Sequence, residues 1–252
     1  MYQNYFSNKK QNIIAANAQT ERMAKTKADL IKASIASSKI YDYCNKPKLQ
    51  LSKPAVFKLI NTDSVSAIMM QPDNKRIAVL NFASFKEPGG LFLQGSSAQE
   101  ECLCHKSFLY NVLREFQTSY YDVNKKRLNR ALYLDKALYT PDIEFSNGKT
   151  TRFADVINCA APNWTAANKY CNVSPSENYA ALAHRIIFVN NIACDNNLDV
   201  IVLGAYGCGV FGQDAKIVAE MIKEAFRLSG LEVILAVPGD NYNYQSFVEV
   251  FG

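Results

Sequence analysis

The sequence predicts an α/β protein with a mostly parallel sheet, and three observations carry this prediction. Short apolar segments rich in β-branched residues alternate with segments of helical periodicity from residue 54 onward. The segments VIVLG at 200–204 and VILAV at 233–237 are apolar on both faces, as buried parallel strands are. The 252 residues are 48% hydrophobic and 20% charged, which supports a large core and excludes a mainly disordered chain.

The first predicted element is an amphipathic helix that begins near Thr20. Apolar residues follow it at spacings of four, three and four, with lysines on the opposite side: Ala24, Ala28, Ile31 and Ile35. The segment CNKPKLQLSK at 44–53 precedes a proline and is interpreted as a linker. We therefore predict two parts, a basic helical N-terminal extension at 1–53 and a catalytic or binding domain at 54–252.

The net charge of +5 comes from the N-terminal extension. Residues 1–53 carry ten Lys and Arg against three acidic residues, whereas the remainder carries 18 against 20. A basic segment of this kind is either a solvated helix face or a surface that contacts nucleic acid or another polyanion. The sequence leaves both interpretations open.

Strands and crossover helices alternate along the second part. Strands are expected at 56–60, 77–82, 153–158, 200–204 and 233–237, with a further pair around Leu138 and Ile143. Helices are expected at 64–70, 100–116, 177–196 and 214–228. This alternation is typical of a parallel sheet covered by helices.

Seven of the eleven glycines lie in two loops, each of which follows a predicted strand and precedes a helix. The first loop holds Gly89, Gly90 and Gly95, and the second holds Gly204, Gly207, Gly209 and Gly212. Parallel strands place both loops at the same edge of the sheet, where backbone N–H groups can approach a phosphate. Tight turns alone can explain one such loop, but two loops at the same edge of the sheet favour a shared ligand site.

The first loop ends in an acidic pair, Glu100 and Glu101, at the start of a helix. Carboxylates in a first helical turn are favoured by the helix dipole, which is the purely structural interpretation. Adjacent helical positions point about 100° apart, so one carboxyl can face a sugar hydroxyl while the other faces a bond to be broken. Mutual repulsion is expected to raise one pKa, which leaves a general acid near neutrality.

Together, the run NFA, then PGG, then QEE after the seven residues that follow Leu91, resembles the signature of the bacterial-type poly(ADP-ribose) glycohydrolases. The later VLGAYGCGVFG resembles the diphosphate loop of macro-type domains, and VINCAAPN and LYTPDI are also similar to family segments. The resemblance covers about residues 55–250. It implies a three-layer α/β/α macro-domain-like fold with a mixed, mostly parallel sheet.

The resemblance also implies an activity: hydrolysis of the ribose 1″-O-glycosidic bond of poly- or mono-ADP-ribosylated substrates, with release of ADP-ribose. Glu101 would be the catalytic acid and Glu100 would orient the ribose. Asn81 and Gln99 would hold sugar hydroxyls or the loop, beside the turn glycines Gly89 and Gly90. Backbone N–H groups of the second loop would bind the diphosphate and an aromatic ring would pack on the distal ribose: Gly207, Cys208, Gly209, Val210 and Phe211.

Leu91 stands where the family signature has a third glycine. A side chain there narrows the space in which backbone approaches a ligand. The alternative function is therefore a non-catalytic, macro-type reader that binds ADP-ribose without turnover. Its partners would be the same: ADP-ribose or poly(ADP-ribose) on a modified protein or nucleic acid.

Other chemistries receive less support from the sequence. Cys102, Cys104 and His105 form a C-x-C-H run without a second ligand pair, so no metal and no cofactor is expected. The odd number of seven cysteines argues against a disulfide framework. Without a leader-like segment or an apolar run of about 20 residues, we expect a cytoplasmic monomer that contacts no membrane.

Overall fold

One sheet of seven strands organises the chain in the computed structural model, which describes residues 2–47 and 52–252. The strands are β1 Lys39–Tyr41, β2 Val56–Ile60, β3 Ile77–Phe82, β4 Ala137–Ser146, β5 Thr151–Cys159, β6 Val200–Leu203 and β7 Glu232–Ala236. Their spatial order is β1-β4-β5-β3-β6-β7-β2. Only β4 runs antiparallel to its two neighbours, so the sheet is mixed and mostly parallel.

Helices cover both faces of the sheet. They are α1 Tyr2–Thr26, α2 Ala28–Ser37, α3 Ser64–Met69, α4 Gln99–His105, α5 Leu109–Leu113, α6 Asp122–Lys125, α7 Trp164–Cys171, α8 Pro175–Asp195, α9 Ala215–Phe226 and α10 Tyr242–Phe251. Residues of α1 to α5 share one core cluster with the sheet, and residues of α8 to α10 share the other. Each strand divides its side chains between these cores, which gives the expected three-layer α/β/α fold.

The central strands show why the sequence folds this way. In β3, Ile77 and Val79 enter the core beneath α1 to α5, whereas Ala78 and Leu80 enter the core beneath α8 to α10. All of them are buried, so a continuous apolar segment is required at this place. The predictions of strands at 56–60 and 77–82 are confirmed at both ends.

Two element predictions are wrong in detail. The helix expected at 100–116 is interrupted after His105, because Ser107 forms a bridge with Phe145 of β4 and its hydroxyl accepts from the N–H of Leu109. The pair expected around Leu138 and Ile143 is one ten-residue strand with a bulge after Thr140.

The N-terminal residues contribute to the same sheet and core. β1 pairs with β4, and Ala16 and Ile31 are buried in the core cluster beneath α1 to α5. The helix expected near Thr20 is two helices, α1 and α2, which adjoin at Lys27. The boundary after residue 53 stays a prediction, and residues 48–51 of the expected linker lie outside the described residues.

Candidate active site

The site begins with two buried amides at the carboxyl ends of β3 and β5. These strands pair in parallel with Asn81 opposite Asn158. The side chain of Asn81 donates to the Asn158 Oδ1 at 2.9 Å and to the Glu100 Oε1 at 3.1 Å. The Oδ1 of Asn81 is buried and has no hydrogen-bond partner among the described residues. One acceptor is therefore available to a ligand at the edge of the sheet.

Gln99 fixes the start of α4 to the end of β3. Its Oε1 accepts from the N–H of Phe82 at 2.9 Å, and its Nε2 donates to the carbonyl of Leu80 at 2.9 Å and to the Ser64 hydroxyl at 3.2 Å. Both ends of this amide are used within the protein. Of the two roles predicted for Gln99, the contacts favour holding the loop.

Glu100 lies inside the protein with only 4% of its surface exposed. Its two oxygens accept from the Asn81 side chain and, at 2.7 Å, from the N–H of Ser84. Burial raises the pKa of Glu100 to about 8, opposed by these hydrogen bonds and assisted by the charge of Glu101. The sequence predicted a raised pKa in this pair from repulsion between the two carboxylates, but for Glu100 the larger cause is desolvation by burial.

Glu101 is 5% exposed and differs from Glu100 in having a free oxygen. Its Oε1 accepts from the N–H of Leu91 at 2.8 Å, whereas its Oε2 is buried without a partner among the described residues. The two carboxyls flank Gly90, where a Cβ would lie 2.7 Å from the Glu101 Oε1 and 2.9 Å from the Glu100 Oε2. The acid pair therefore closes around a residue that must be glycine.

In the turn at 89–91, the two glycines and Leu91 have backbone φ angles of opposite sign. Gly89 and Gly90 adopt φ values of +67° and +59°, which L-residues rarely adopt. Leu91 has a φ of −105° and its side chain is 56% exposed. Leucine at this third position therefore leaves the backbone unstrained and points mainly to solvent.

The second glycine loop follows β6, which pairs in parallel with β3. Gly207 has a φ of +78°, and a Cβ there would lie 2.9 Å from both Ala161 and Gln213. Gln213 in turn exchanges two 2.9 Å hydrogen bonds with Asn178 of α8. The loop is thus fixed against α8, and the prediction that both glycine loops lie at one sheet edge is confirmed.

The backbone of this loop offers unpaired donors. Among the described residues, the N–H groups of Gly207, Gly209, Val210 and Phe211 have no acceptor. Cys208 differs, because its N–H donates to the carbonyl of Ala205 at 3.1 Å. Val210 is 87% exposed, so the tip of the loop is open to an anionic ligand.

Aromatic rings connect the two loops. Phe85 of the first loop stacks on Tyr133 with ring centroids 4.5 Å apart, and Phe211 of the second lies 6.1 Å from the same ring. Phe82, at the end of β3, lies 5.6 Å from Tyr206 at the start of the second loop. These contacts bring the two glycine loops together at the carboxyl ends of β3 and β6.

Thiol and metal chemistry find no support at the site. Burial, assisted by the charge of Asp214, raises the pKa of Cys208 to about 12, so its thiol stays protonated at neutral pH. Among the described residues, no group of three or more potential ligands is placed to hold a metal ion. Within that part of the chain, no helix combines the length and hydropathy needed to cross a bilayer.

Sequence reasoning missed Asn158 and Ser84. Asn158 donates to the carbonyl of Leu138 at 2.8 Å and accepts from Asn81, so it fixes the orientation of the first amide. A polar amide near the end of an otherwise apolar strand was the available signal. The N–H of Ser84 carries no sequence signal, because any residue except proline supplies one.

Comparison with known proteins places this site in a family context. A family model described as the catalytic domain of microbial-type poly(ADP-ribose) glycohydrolase (PARG) matches residues 7–147. That range includes Asn81 and the whole acid-pair loop. No curated protein sequence matches the chain.

Solved structures resemble the whole chain. The poly(ADP-ribose) glycohydrolase of Thermomonospora curvata has a TM-score of 0.85 at 23% identity, covering 96% of this chain and 99% of that one. Its complex with the inhibitor ADP-HPD has a TM-score of 0.82 at 23% identity, with coverage of 95% and 99%. The Deinococcus radiodurans enzyme in complex with ADP-ribose has a TM-score of 0.78 at 25% identity, with coverage of 87% and 96%.

Proposed function

The chain belongs to the microbial-type poly(ADP-ribose) glycohydrolase family, and on this premise we propose that it hydrolyses the ribose 1″-O-glycosidic bond and releases ADP-ribose. One observation carries the proposal: the acid pair is buried, and Glu101 keeps an Oε2 without a partner among the described residues. A carboxyl placed in this way can face a glycosidic oxygen. A protein that only binds ADP-ribose would have no need of it.

The pair of carboxyls divides the work of proton transfer. Both oxygens of Glu100 accept hydrogen bonds, so Glu100 is held in place and orients the sugar. Its raised pKa keeps one proton on the pair near neutrality. Glu101 is the general acid, because its free oxygen is the one that can reach the departing group.

The reaction follows from these roles. The proton that Glu100 holds passes to Glu101 and from there to the departing oxygen, as the bond from that oxygen to C1″ breaks through an oxocarbenium-like state. A water molecule then attacks C1″ and returns a proton to the Glu101 carboxylate, so the acid is restored. General acid catalysis of this kind contributes roughly 10²- to 10⁴-fold to the rate.

The second loop positions the substrate for this step. The N–H groups of Gly207, Gly209 and Val210 bind the diphosphate, and Phe211 packs on the distal ribose. Cys208 shapes the turn, since its own N–H is engaged by Ala205. Holding the diphosphate in a fixed place orients C1″ toward Glu101.

The substrate is ADP-ribose or poly(ADP-ribose) attached to a modified protein or nucleic acid, and the working unit is a monomer. The site residues recognise the ADP-ribose moiety itself, so the group on its far side is set by other surfaces. The D. radiodurans relative is known in complex with ADP-ribose, which supports this moiety as the ligand.

The decisive experiment compares the parent protein with Glu101→Gln. Release of ADP-ribose from poly(ADP-ribose) and from mono-ADP-ribosylated protein should fall by about 10²-fold or more. Calorimetric affinity for ADP-ribose should stay within a few-fold, because the shape of the site is kept.

Glu115→Gln serves as the matched control, because that carboxylate is exposed and pairs with Arg114 at the surface. It should leave both rates unchanged. Tight ADP-ribose binding with no release by the parent protein would select the non-catalytic reader and reject the hydrolase.

A further inference from the structure

A second cleft opens at the same sheet edge as the candidate active site. It has a volume of about 700 Å³ and lies between the turn that follows β1, the end of α6 and the outer face of α8. β1 and β4 flank it, and the carboxyl end of β1 meets the start of β4 where Tyr41 pairs with Ala137. No residue assigned to the reaction lines this cleft.

Cations without carboxylate partners line the cleft. Lys136 is 7% exposed, yet its ammonium makes no ion pair or hydrogen bond among the described residues. It lies 5.3 Å from the centre of the Tyr120 ring. Lys46 and Arg127 line the same cleft and also lack ion-pair partners in the described chain. The three positive charges attract an anion that enters the cleft.

The acidic side chains of the cleft are already engaged. Asp135 pairs with the buried Arg185 at 2.8 Å, and Asp42 accepts from the N–H groups of Cys44 and Asn45. The cleft is therefore lined by three cations and two carboxylates, and one of the carboxylates is paired with Arg185. Burial lowers the pKa of Lys136, opposed by the charge of Asp42 and assisted by that of Arg127.

The remaining wall suits a nucleoside. Leu134, Ile187 and Phe188 give an apolar surface, and Asn191 adds a buried Oδ1 that has no partner among the described residues. A flat base can lie against the apolar wall, and its amino group or a ribose hydroxyl can donate to Asn191. Apolar wall, amide and cations together match a nucleoside diphosphate.

The order of strands relates this cleft to the reaction. The diphosphate loop follows β6, and the acid pair faces the end of β3, the neighbouring strand. Beyond β3, the order across the sheet continues with β5, β4 and β1. A substrate with its diphosphate at β6 and its scissile sugar at β3 directs its departing group toward β4. Neighbouring strands are about 4.8 Å apart, so β4 lies about 10 Å from β3.

The two sites also share a wall. Leu134 lines the cleft and packs against the cluster of Phe85 and Tyr133 that joins the two glycine loops. Asn124 lines it too and donates to the carbonyl of Phe85 at 3.0 Å. The cleft and the candidate active site therefore adjoin across these side chains.

We propose that this cleft binds the diphosphate and adenosine of the next ADP-ribose unit of a polymer, on the departing side of the bond that is cleaved. The inference rests on the proposed function for the identity of the terminal unit. It adds a subsite that distinguishes poly(ADP-ribose) from a single ADP-ribose on a protein.

The test measures binding, so that it does not depend on turnover. In the Glu101→Gln background, calorimetry compares an oligomer of two ADP-ribose units with ADP-ribose itself. The oligomer should bind at least about tenfold more tightly, because charged hydrogen bonds to a second diphosphate are added. Lys136→Met and Arg127→Gln should each remove most of this advantage and leave the affinity for ADP-ribose unchanged.

Lys126→Gln is the matched control, because it removes one exposed positive charge beside Arg127 without lining the cleft. It should retain the advantage of the oligomer. Arg127→Gln also covers the case in which Lys136→Met fails to fold, since Arg127 is exposed.

Three results would overturn the subsite: no tighter binding of the oligomer in the Glu101→Gln background, tighter binding that survives both cleft substitutions, or an equal loss of affinity for ADP-ribose in those variants. Dependence on Lys136 seen only with mono-ADP-ribosylated protein would assign the cleft to a protein partner and overturn it as well. If the oligomer binds through the cleft but parent protein releases nothing, the proposed function fails and the subsite stands.

Discussion

Glu100 and Glu101 are buried side by side, and among the described residues they form no ion pair and accept hydrogen bonds from neutral donors. Asn81 and the N–H groups of Ser84 and Leu91 supply those donors. Neutral donors stabilise a carboxylate less than an ammonium or guanidinium would, so burial decides the balance at Glu100. A site that must hold a proton near neutrality benefits from this choice of partners.

The raised pKa of Glu100 predicts how stability depends on pH. Below its ordinary value of 4.5 the carboxyl is protonated in both folded and unfolded protein. Between 4.5 and about 8 only the folded protein keeps the proton, so the free energy of unfolding falls by about 1.4 kcal/mol per pH unit. Urea unfolding should show that the parent protein loses free energy of unfolding between pH 5 and pH 8. In Glu100→Gln this loss should be smaller by a few kcal/mol.

For each protein, the quantity compared is the change in free energy of unfolding between pH 5 and pH 8. This choice is needed because Glu100→Gln also places an amide N–H near the N–H of Ser84, which lowers stability at every pH. All other titrating groups are common to parent and variant. If both proteins lost the same free energy between pH 5 and pH 8, Glu100 would not hold a proton in the folded state.

Gly90 gives a second prediction at this scale. Gly90→Ala places a methyl group against both carboxyls in a backbone region that L-residues rarely adopt. We expect a loss of about 1–3 kcal/mol in the free energy of unfolding, measured by urea titration. Gly209→Ala is the control, because its Cβ would meet nothing within 4 Å. Equal effects of the two substitutions would contradict the close approach at Gly90.

At the scale of elements, the sequence predicts what local periodicity determines. β2 and β3 are correct at both ends, because each is a short apolar segment next to a turn or a charged residue, Asn61 after β2 and Arg76 before β3. The continuous helix expected at 100–116 fails because Ser107 pairs with a strand nearly 40 residues away. β1 was not expected, since its three residues become a strand only through pairing with β4. Long-range pairing is the information that periodicity lacks.

The same limit applies to the candidate site. The glycine loops, the acid pair and Asn81 could be predicted because residue type, spacing and family signature point to them. Asn158 could not be separated from any other polar residue near a strand end until β3 and β5 were paired. The free oxygen of Glu101 is a property of three-dimensional packing, which no motif records.

Helix α1 braces the acid-pair loop, and this contact can be tested. Asn12 donates to the carbonyl of Gly95 at 3.2 Å, and Gly95 packs so closely that a Cβ would lie 2.6 Å from the Lys9 carbonyl. Asn12→Ala should weaken the 3₁₀ turn Phe92–Gln94 by about 1 kcal/mol. Hydrogen exchange at the Gly95 N–H should become roughly fivefold faster.

Asn17→Ala is the matched control, because Asn17 is exposed and donates only to the Ile13 carbonyl within the same helix. Exchange at Gly95 should be unchanged in that variant. Faster exchange in both variants would mean that α1 stabilises the loop through its own helicity, without the Asn12 contact.

At the scale of the whole molecule, the basic N-terminal residues are joined to the sheet. Tyr41 is 2% exposed, and its hydroxyl donates to Asp195 at 2.8 Å and accepts from Asn196 at 3.0 Å. Lys27 pairs with Glu144 of β4 at 2.8 Å. These contacts tie residues 27 and 41 to β4 and to the end of α8.

Removal of residues 1–53 therefore tests how the molecule is divided. We expect the truncated protein to lose the single cooperative unfolding transition of the full chain, because an edge of β4 and the core beneath α1 and α2 become exposed. Calorimetry measures this directly, and Tyr43→Ala in the full chain is the control, since Tyr43 is 83% exposed and should leave the transition in place. An independent N-terminal extension would instead leave residues 54–252 with the transition temperature of the parent. In that case any polyanion binding lost on truncation would belong to the extension itself. If the truncated protein instead loses its fold, polyanion binding and catalysis should disappear together.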